Sequence, residues 1–168
     1  MKPFEILIRH FWAALLGVTV LNGIIFKRRS RQRVEEDPQL AGRCRSFVRG
    51  WLIWMNLPWL VMGIGSTVGG IPTIFHYGRP RDGNPYVLAV WISIFVMQIV
   101  SFYWIFFCKG AETMAECGIM NPRSSGHFAF FNTPAGIKIA FLLCLAGATI
   151  AAITMWTSDI QIPSFPAE

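Results

Sequence analysis

KRRSRQRVEEDPQLAGRCRSFVR, Lys27–Arg49, carries eight of the fifteen lysines and arginines of a 168-residue chain. Two apolar windows flank it, from about Ile6 to Phe26 and from about Phe47 to Val68. A dense basic segment between two such windows reads as the cytoplasmic connection of a membrane hairpin, because lysines and arginines stay on the inner side as spans insert. Arg28, Arg29, Arg31, Arg33, Arg43 and Arg45 are then the residues that hold the topology and meet anionic lipid headgroups.

Composition outside this stretch agrees. The chain is 54% hydrophobic and 14% charged, with a mean hydropathy of +0.46, whereas a soluble domain carries about 25% charged residues. The charges gather in short polar segments and leave four apolar windows of about 20 residues or more, each long enough to cross a hydrocarbon core of roughly 30 Å. The first window is too long for a signal-peptide core and lacks a small-x-small cleavage site, so it reads as a retained helix. Arg9, His10 and Trp12 stand near its first turn, where a long cation can snorkel and an indole can sit at the interface. The net charge of +6 is concentrated between spans, which calls for a lipid surface and for no nucleic acid.

The resulting architecture is an all-α membrane protein, a single domain over 1–168. Its four transmembrane helices cover about 6–26, 47–68, 85–108 and 134–157 in an up-down-up-down bundle. The connections are a basic cytoplasmic loop over 27–46, an outer loop over 69–84 and a cytoplasmic loop over 109–133, with an outer tail over 158–168. Pro58 lies inside the second window and predicts a kink near Trp54–Pro58. Asn84-Pro85 and Thr133-Pro134 read as N-cap plus first helical residue of the third and fourth helices. Ala111–Cys117 reads as a short interfacial helix closed by Gly118, and Asn121-Pro122 with Ser124-Ser125-Gly126 breaks its continuation.

Orientation follows from charge. With the first and third connections inside, the inner side holds Lys27, Arg28, Arg29, Arg31, Arg33, Arg43, Arg45, Arg49, Lys109, Arg123 and Lys138. The outer side holds Lys2, Arg9, Arg79 and Arg81. Eleven against four puts both termini on the non-cytoplasmic side of a plasma membrane, in a bacterium the inner membrane. The four cysteines form no CxxC pair and no zinc spacing, and Cys44, Cys108 and Cys117 fall on the inner side. All four are therefore expected as reduced thiols, with juxtamembrane Cys44 and Cys108 as S-palmitoylation candidates in a eukaryote.

Candidate chemistry is thin. Asn22, Asn56, Gln98 and Thr149 lie within the windows, as interhelical hydrogen-bonding groups or as the lining of a path. No Asp, Glu, Lys or Arg falls near the centre of any window, which speaks against an ion-coupled pump. Gly65-x-x-x-Gly69 and Gly147/Ala151 have the spacing of close helix approach. The densest outer constellation is His76, Arg79, Arg81 and Asp82. There two arginine forks can cradle an anion, or Asp82 can pair with an arginine and pin a turn. His10 and His76 are weak as haem ligands because His76 lies in a loop beyond Pro72, and His127 is on the opposite face. Glu112 and Glu116 read as a solvated edge. The aromatics of the third window, with Trp12, Trp51, Trp54, Trp59 and Trp156, read as interfacial belts and lipid-facing bulk. No catalytic residue, metal site or cofactor is predicted.

The sequence thus points to a multi-pass, non-catalytic structural or accessory subunit of a larger membrane complex, or to a homo-oligomer, with protein partners or self-association in the bilayer. The alternative is a small oligomeric channel or transporter. A redox or quinone-linked subunit is the more distant one.

Overall fold

A computed structural model describes residues 3–119 and 126–158, with side chains omitted for 3–5 and 126–128. Lys2, the Asn121–Ser125 breaks with Arg123, the side chain of His127 and the tail from residue 159 lie outside the described residues. The helices are α1 (Pro3–Arg9), α2 (Phe11–Glu36), α3 (Ala41–Trp54), α4 (Leu57–Thr67), α5 (Pro85–Phe107), α6 (Gly110–Glu116) and α7 (Pro134–Thr157). Four segments are long and apolar enough to cross a membrane: Phe11–Glu36, Pro38–Thr67, Pro85–Phe107 and Pro134–Thr157.

The segment expected as a basic loop is mostly helix. α2 continues through Lys27–Glu36, because that stretch is rich in good helix formers. Arg31–Glu35 at 3.0 Å and Arg33–Glu36 at 3.3 Å line its surface at helical spacing. Asp37 leaves the helix at φ −138°, ψ 96° and accepts a hydrogen bond from the Gln39 N–H at 3.0 Å. Pro38 then opens a single 3-10 turn, and α3 begins at Ala41. The basic end is thus a stiff helical hairpin that carries its charges beyond the apolar windows.

The second span is in two pieces. Regular helix stops at Trp54 and resumes at Leu57. Pro58 has no N–H for the Trp54 carbonyl, and the Asn56 side-chain amide donates back to the Leu52 carbonyl at 2.7 Å. The start signals of α5 and α7 appear as hydrogen bonds. Asn84 Oδ1 accepts from Tyr86 N–H at 3.0 Å, and Thr133 Oγ1 accepts from Gly136 N–H at 3.1 Å. Gly118 (φ 62°) closes α6 in a Schellman motif, its N–H bonded to Ala115 O at 3.1 Å and that of Ile119 to Met114 O at 3.1 Å.

Register comes from close approaches. A methyl group at Gly23 would lie 2.7 Å from Leu52 Cδ2, and one at Gly63 would lie 2.9 Å from Trp12. Descending α2 therefore means ascending α3 and α4. The Phe47–Trp104 ring stack and the Gly65/Tyr86 contact order α3–α4 against α5 in the same antiparallel sense. α5 and α7 meet at Phe106/Phe141 near the basic end and at Trp91/Ala152 near the other.

The packing has three centres, one of them Ile105, Ala111 and Ile137 where α5, α6 and α7 meet. At the end away from the basic hairpin, called here the loop end, Met62, Ile71, Tyr77, Val87, Val90 and Trp91 form one core between α4, α5 and the returning loop. At the basic end Cys44, Phe47, Cys117 and Ile119 form another between α3 and α6, with Phe26 and Trp51 against it. Outside these, large apolar side chains such as Val68, Ile99, Phe107 and Leu143 remain exposed.

Candidate functional site

The basic end is tied together by residues far apart in sequence. Cys44 at the start of α3 and Cys117 at the end of α6 form a disulfide, with Cα atoms 5.7 Å apart across 73 residues. This corrects the expectation of four reduced thiols. Cys44 is 2% exposed and bonded, so it is also no lipidation acceptor. Cys108 and Cys144 are free and exposed. The physical reason lies in the fold, since the start of α3 and the C-terminal end of α6 meet in one buried cluster. That both belong to connections on one side was legible, but no spacing rule announces their pairing.

Charged pairs flank the bond. Arg43 Nη1 reaches Glu116 Oε2 at 2.7 Å, and Lys138 Nζ reaches Glu112 Oε1 at 3.1 Å. Arg29 Nη1 donates to the Ile119 carbonyl at 2.8 Å. Glu112 and Glu116 are therefore brackets between α6 and its neighbours rather than a free edge. The Arg43–Glu116 pair is solvent-exposed and stabilises by roughly 1 kcal/mol or less, while the Lys138–Glu112 pair is half-buried, with Glu112 Oε2 buried and without a partner among the described residues. A hydrogen bond to its own backbone, followed by the bond to Lys138, holds the Glu112 carboxyl below the usual carboxylate value.

Beside this bracket lies a groove of about 470 Å³. It exists because α4 packs closely along α5 while α3, beyond the break at Met55–Asn56, approaches α5 little. Phe47, Gly50, Trp51 and Trp54 of α3 form one wall, at helical i, i+3, i+4, i+7 spacing. Val100, Ser101, Trp104 and Ile105 of α5 form the other, with Met114 and Phe141 closing the sides. Arg43 is its one charged lining residue and also borders the polar hollows next to it. The sequence reading took Trp51 and Trp54 as interface markers and passed over Gly50. The missed signal is a glycine among three aromatics on one face, which leaves a notch in the wall.

The loop-end constellation is occupied by its own partners. Arg79 Nε lies 3.3 Å from Asp82 Oδ2, Arg81 Nη1 donates to the Thr157 carbonyl at 3.1 Å, and His76 Nδ1 is 2.9 Å from Thr73 Oγ1. An anion at this loop would compete with Asp82 for Arg79. The residue that locks the loop is Tyr77. Its hydroxyl donates to Met62 O at 2.7 Å and lies 3.1 Å from Ser66 Oγ, while its carbonyl accepts from Trp91 Nε1 at 2.9 Å. Burial pushes the Tyr77 phenol above its ordinary value. Trp91 is thus a core residue and not part of a belt.

The intramembrane polar groups do not converge. Asn56 is buried at the break between α3 and α4, and its Oδ1 has no partner among the described residues. Thr149 is exposed on α7 and bonds back to Leu145 O at 2.8 Å, the i−4 bond that helical threonines make. Asn22 and Gln98 are half-buried on α2 and α5. Among the described residues no group of three His, Cys, Asp or Glu side chains is placed to hold a metal.

Comparison with protein-family models, curated proteins and solved structures finds no match for this chain. Its function is therefore argued from its own geometry.

Proposed function

We propose that the chain is a non-catalytic integral membrane subunit that contributes helix surface to an assembly, with a partner or with copies of itself, through α7. The carrying observation is how differently the two small-residue pairs are used. Gly65 and Gly69 are consumed inside the chain, where a methyl group would lie 2.5 Å from Tyr77 Oη and from Tyr86 Cδ2 respectively. Gly147 has open space around it and Ala151 is exposed. Only Gly136, Ile137 and Ala152 of α7 are buried, so the middle of its outer face is smooth, apolar and unused within the chain. Small residues of this kind let a second helix approach closely in lipid. Native purification with mass measurement tests the reading. The chain should run as an oligomer or with a stoichiometric partner, and Gly147→Leu with Ala151→Leu should release it as a folded monomer. A wild-type monomer without partners would end the proposal.

We also propose that the basic end faces the cytoplasm and both termini face away from it. Eleven cations against four support this. The disulfide pulls the other way, because such bonds persist in oxidising compartments. The charge count carries more weight, since it acts on every span as the chain inserts, while two apposed thiols need only a change in redox poise to join. Cys44 and Cys117 are then an apposed pair held as thiols in a reducing cytoplasm and closed on oxidation.

A further inference from the structure

We propose that the groove between α3 and α5 holds one acyl chain of an anionic phospholipid from the leaflet at the basic end, with its phosphate at Arg43. The inference rests on the membrane reading, not on the subunit role. Arg43 and Trp54 are eleven residues apart on α3, about 16 Å at roughly 1.5 Å per helical residue. That is about half of a hydrocarbon core of roughly 30 Å, the depth of one leaflet. Along this length the wall changes from a cation and Ser46 at the mouth, through Phe47 and Trp51, to Trp54 and Met55 at the deep end. The polarity of the groove thus follows that of a lipid, headgroup to tail. Its volume of about 470 Å³ falls among ligand-sized sites, which run from roughly 300 to 1,000 Å³.

Charge selects the headgroup. Arg43 gives one nitrogen to Glu116, and its side chain is 61% exposed, so the rest of the guanidinium fork is free for a phosphate. Arg43 is the one cation in the lining, so the headgroup preference rests on it. A second apolar helix would fill the same walls but would present no anion to this mouth. A free anion would not use the tail.

The test is retention of lipid by the purified chain. The protein is reconstituted in bilayers of equal phosphatidylglycerol and phosphatidylcholine, extracted in mild detergent and weighed intact. Wild type should retain one phosphatidylglycerol per chain. A methyl group at Gly50 would meet nothing within 4 Å, so Gly50→Phe has room to enter the groove. Retention should then fall about tenfold or more, as the loss of only two buried methylenes would produce. Should that variant not fold, Ser101→Phe blocks the opposite wall. Arg43→Gln should keep a bound lipid but lose the preference for phosphatidylglycerol. No retained lipid, retention unaffected by both blocking variants, or equal retention of the two lipids by wild type would overturn the proposal. A chain stripped from membranes by alkaline carbonate would instead fail the membrane reading itself.

Discussion

Opening the Cys44–Cys117 bond should loosen the basic end while leaving the loop end in place. The bond closes a segment of 73 residues, and the chain-entropy relation gives about 4 kcal/mol for a loop of that length in water. In a bilayer the enclosed α4 and α5 stay helical and inserted after denaturation. Only the turns and the short α6 gain freedom, which brings the figure toward the roughly 3 kcal/mol of a 15-residue loop. The exposed Arg43–Glu116 pair cannot make this up, because it contributes roughly 1 kcal/mol or less. The assay is SDS titration in mixed micelles, followed by tryptophan fluorescence, on oxidised protein, reduced protein and Cys44→Ala/Cys117→Ala. Both forms lacking the bond should be less stable than the oxidised one by about 3 kcal/mol. Alkylation after unfolding should modify two thiols of the oxidised protein, Cys108 and Cys144, and four after reduction. Equal stability of oxidised and reduced protein, or four reactive thiols without reductant, would refute the reasoning.

Tyr77→Phe should destabilise the chain by about 1–2 kcal/mol, since it removes the hydroxyl's bonds to Met62 O and Ser66. Gly65→Ala should do the same by driving a methyl group into that hydroxyl; thermal unfolding in detergent reads both. The depressed Glu112 pKa stabilises α6 against α7 at pH values above the ordinary carboxylate value of 4.5, and that stability is lost as pH falls through the lowered folded value. Lys138→Met should remove only the part of this acid sensitivity that the pair supplies, lowering stability slightly above pH 6 and leaving it unchanged at acid pH, while the part due to Glu112's own backbone hydrogen bond persists, as an acid titration of unfolding would show. In cells quenched with a membrane-permeant alkylator, Cys44 and Cys117 should both be trapped as thiols if the basic end is cytoplasmic, and a diamide pulse before quenching should protect both.

Much of the fold was legible in the sequence. Asn84-Pro85 and Thr133-Pro134 begin their helices with the capping hydrogen bonds those residue types make, and Gly118 ends α6 because it alone there adopts φ 62° without cost. The basic segment was misread because charge density suggests solvent exposure, and exposure suggests loop. Lys27–Glu36 is mostly exposed and still helical, with i, i+3 and i, i+4 ion pairs along its surface. The groove was illegible for a different reason. It arises from the break at Met55–Asn56, which steers α3 away from α5, and no local pattern on either helix records the angle between them. The roles of Tyr77 and Trp91 were hidden in the same way, because a loop tyrosine declares itself only when it folds back onto the helix before it. His76, Arg79, Arg81 and Asp82 stood out by density, yet each meets a partner only a few residues away or across to Thr157.

The central claim is that four spans alternate, with the basic end and its apposed Cys44 and Cys117 inside and the Tyr77 loop outside. The most direct measurement is impermeant maleimide labelling of intact cells carrying Gln32→Cys or Arg81→Cys in a Cys108→Ala/Cys144→Ala background. Gln32 and Arg81 are both exposed, so access depends on the membrane alone. Arg81→Cys should label in intact cells, and Gln32→Cys only after permeabilisation. Labelling of Gln32→Cys from outside, or of both positions from one side, would contradict the account.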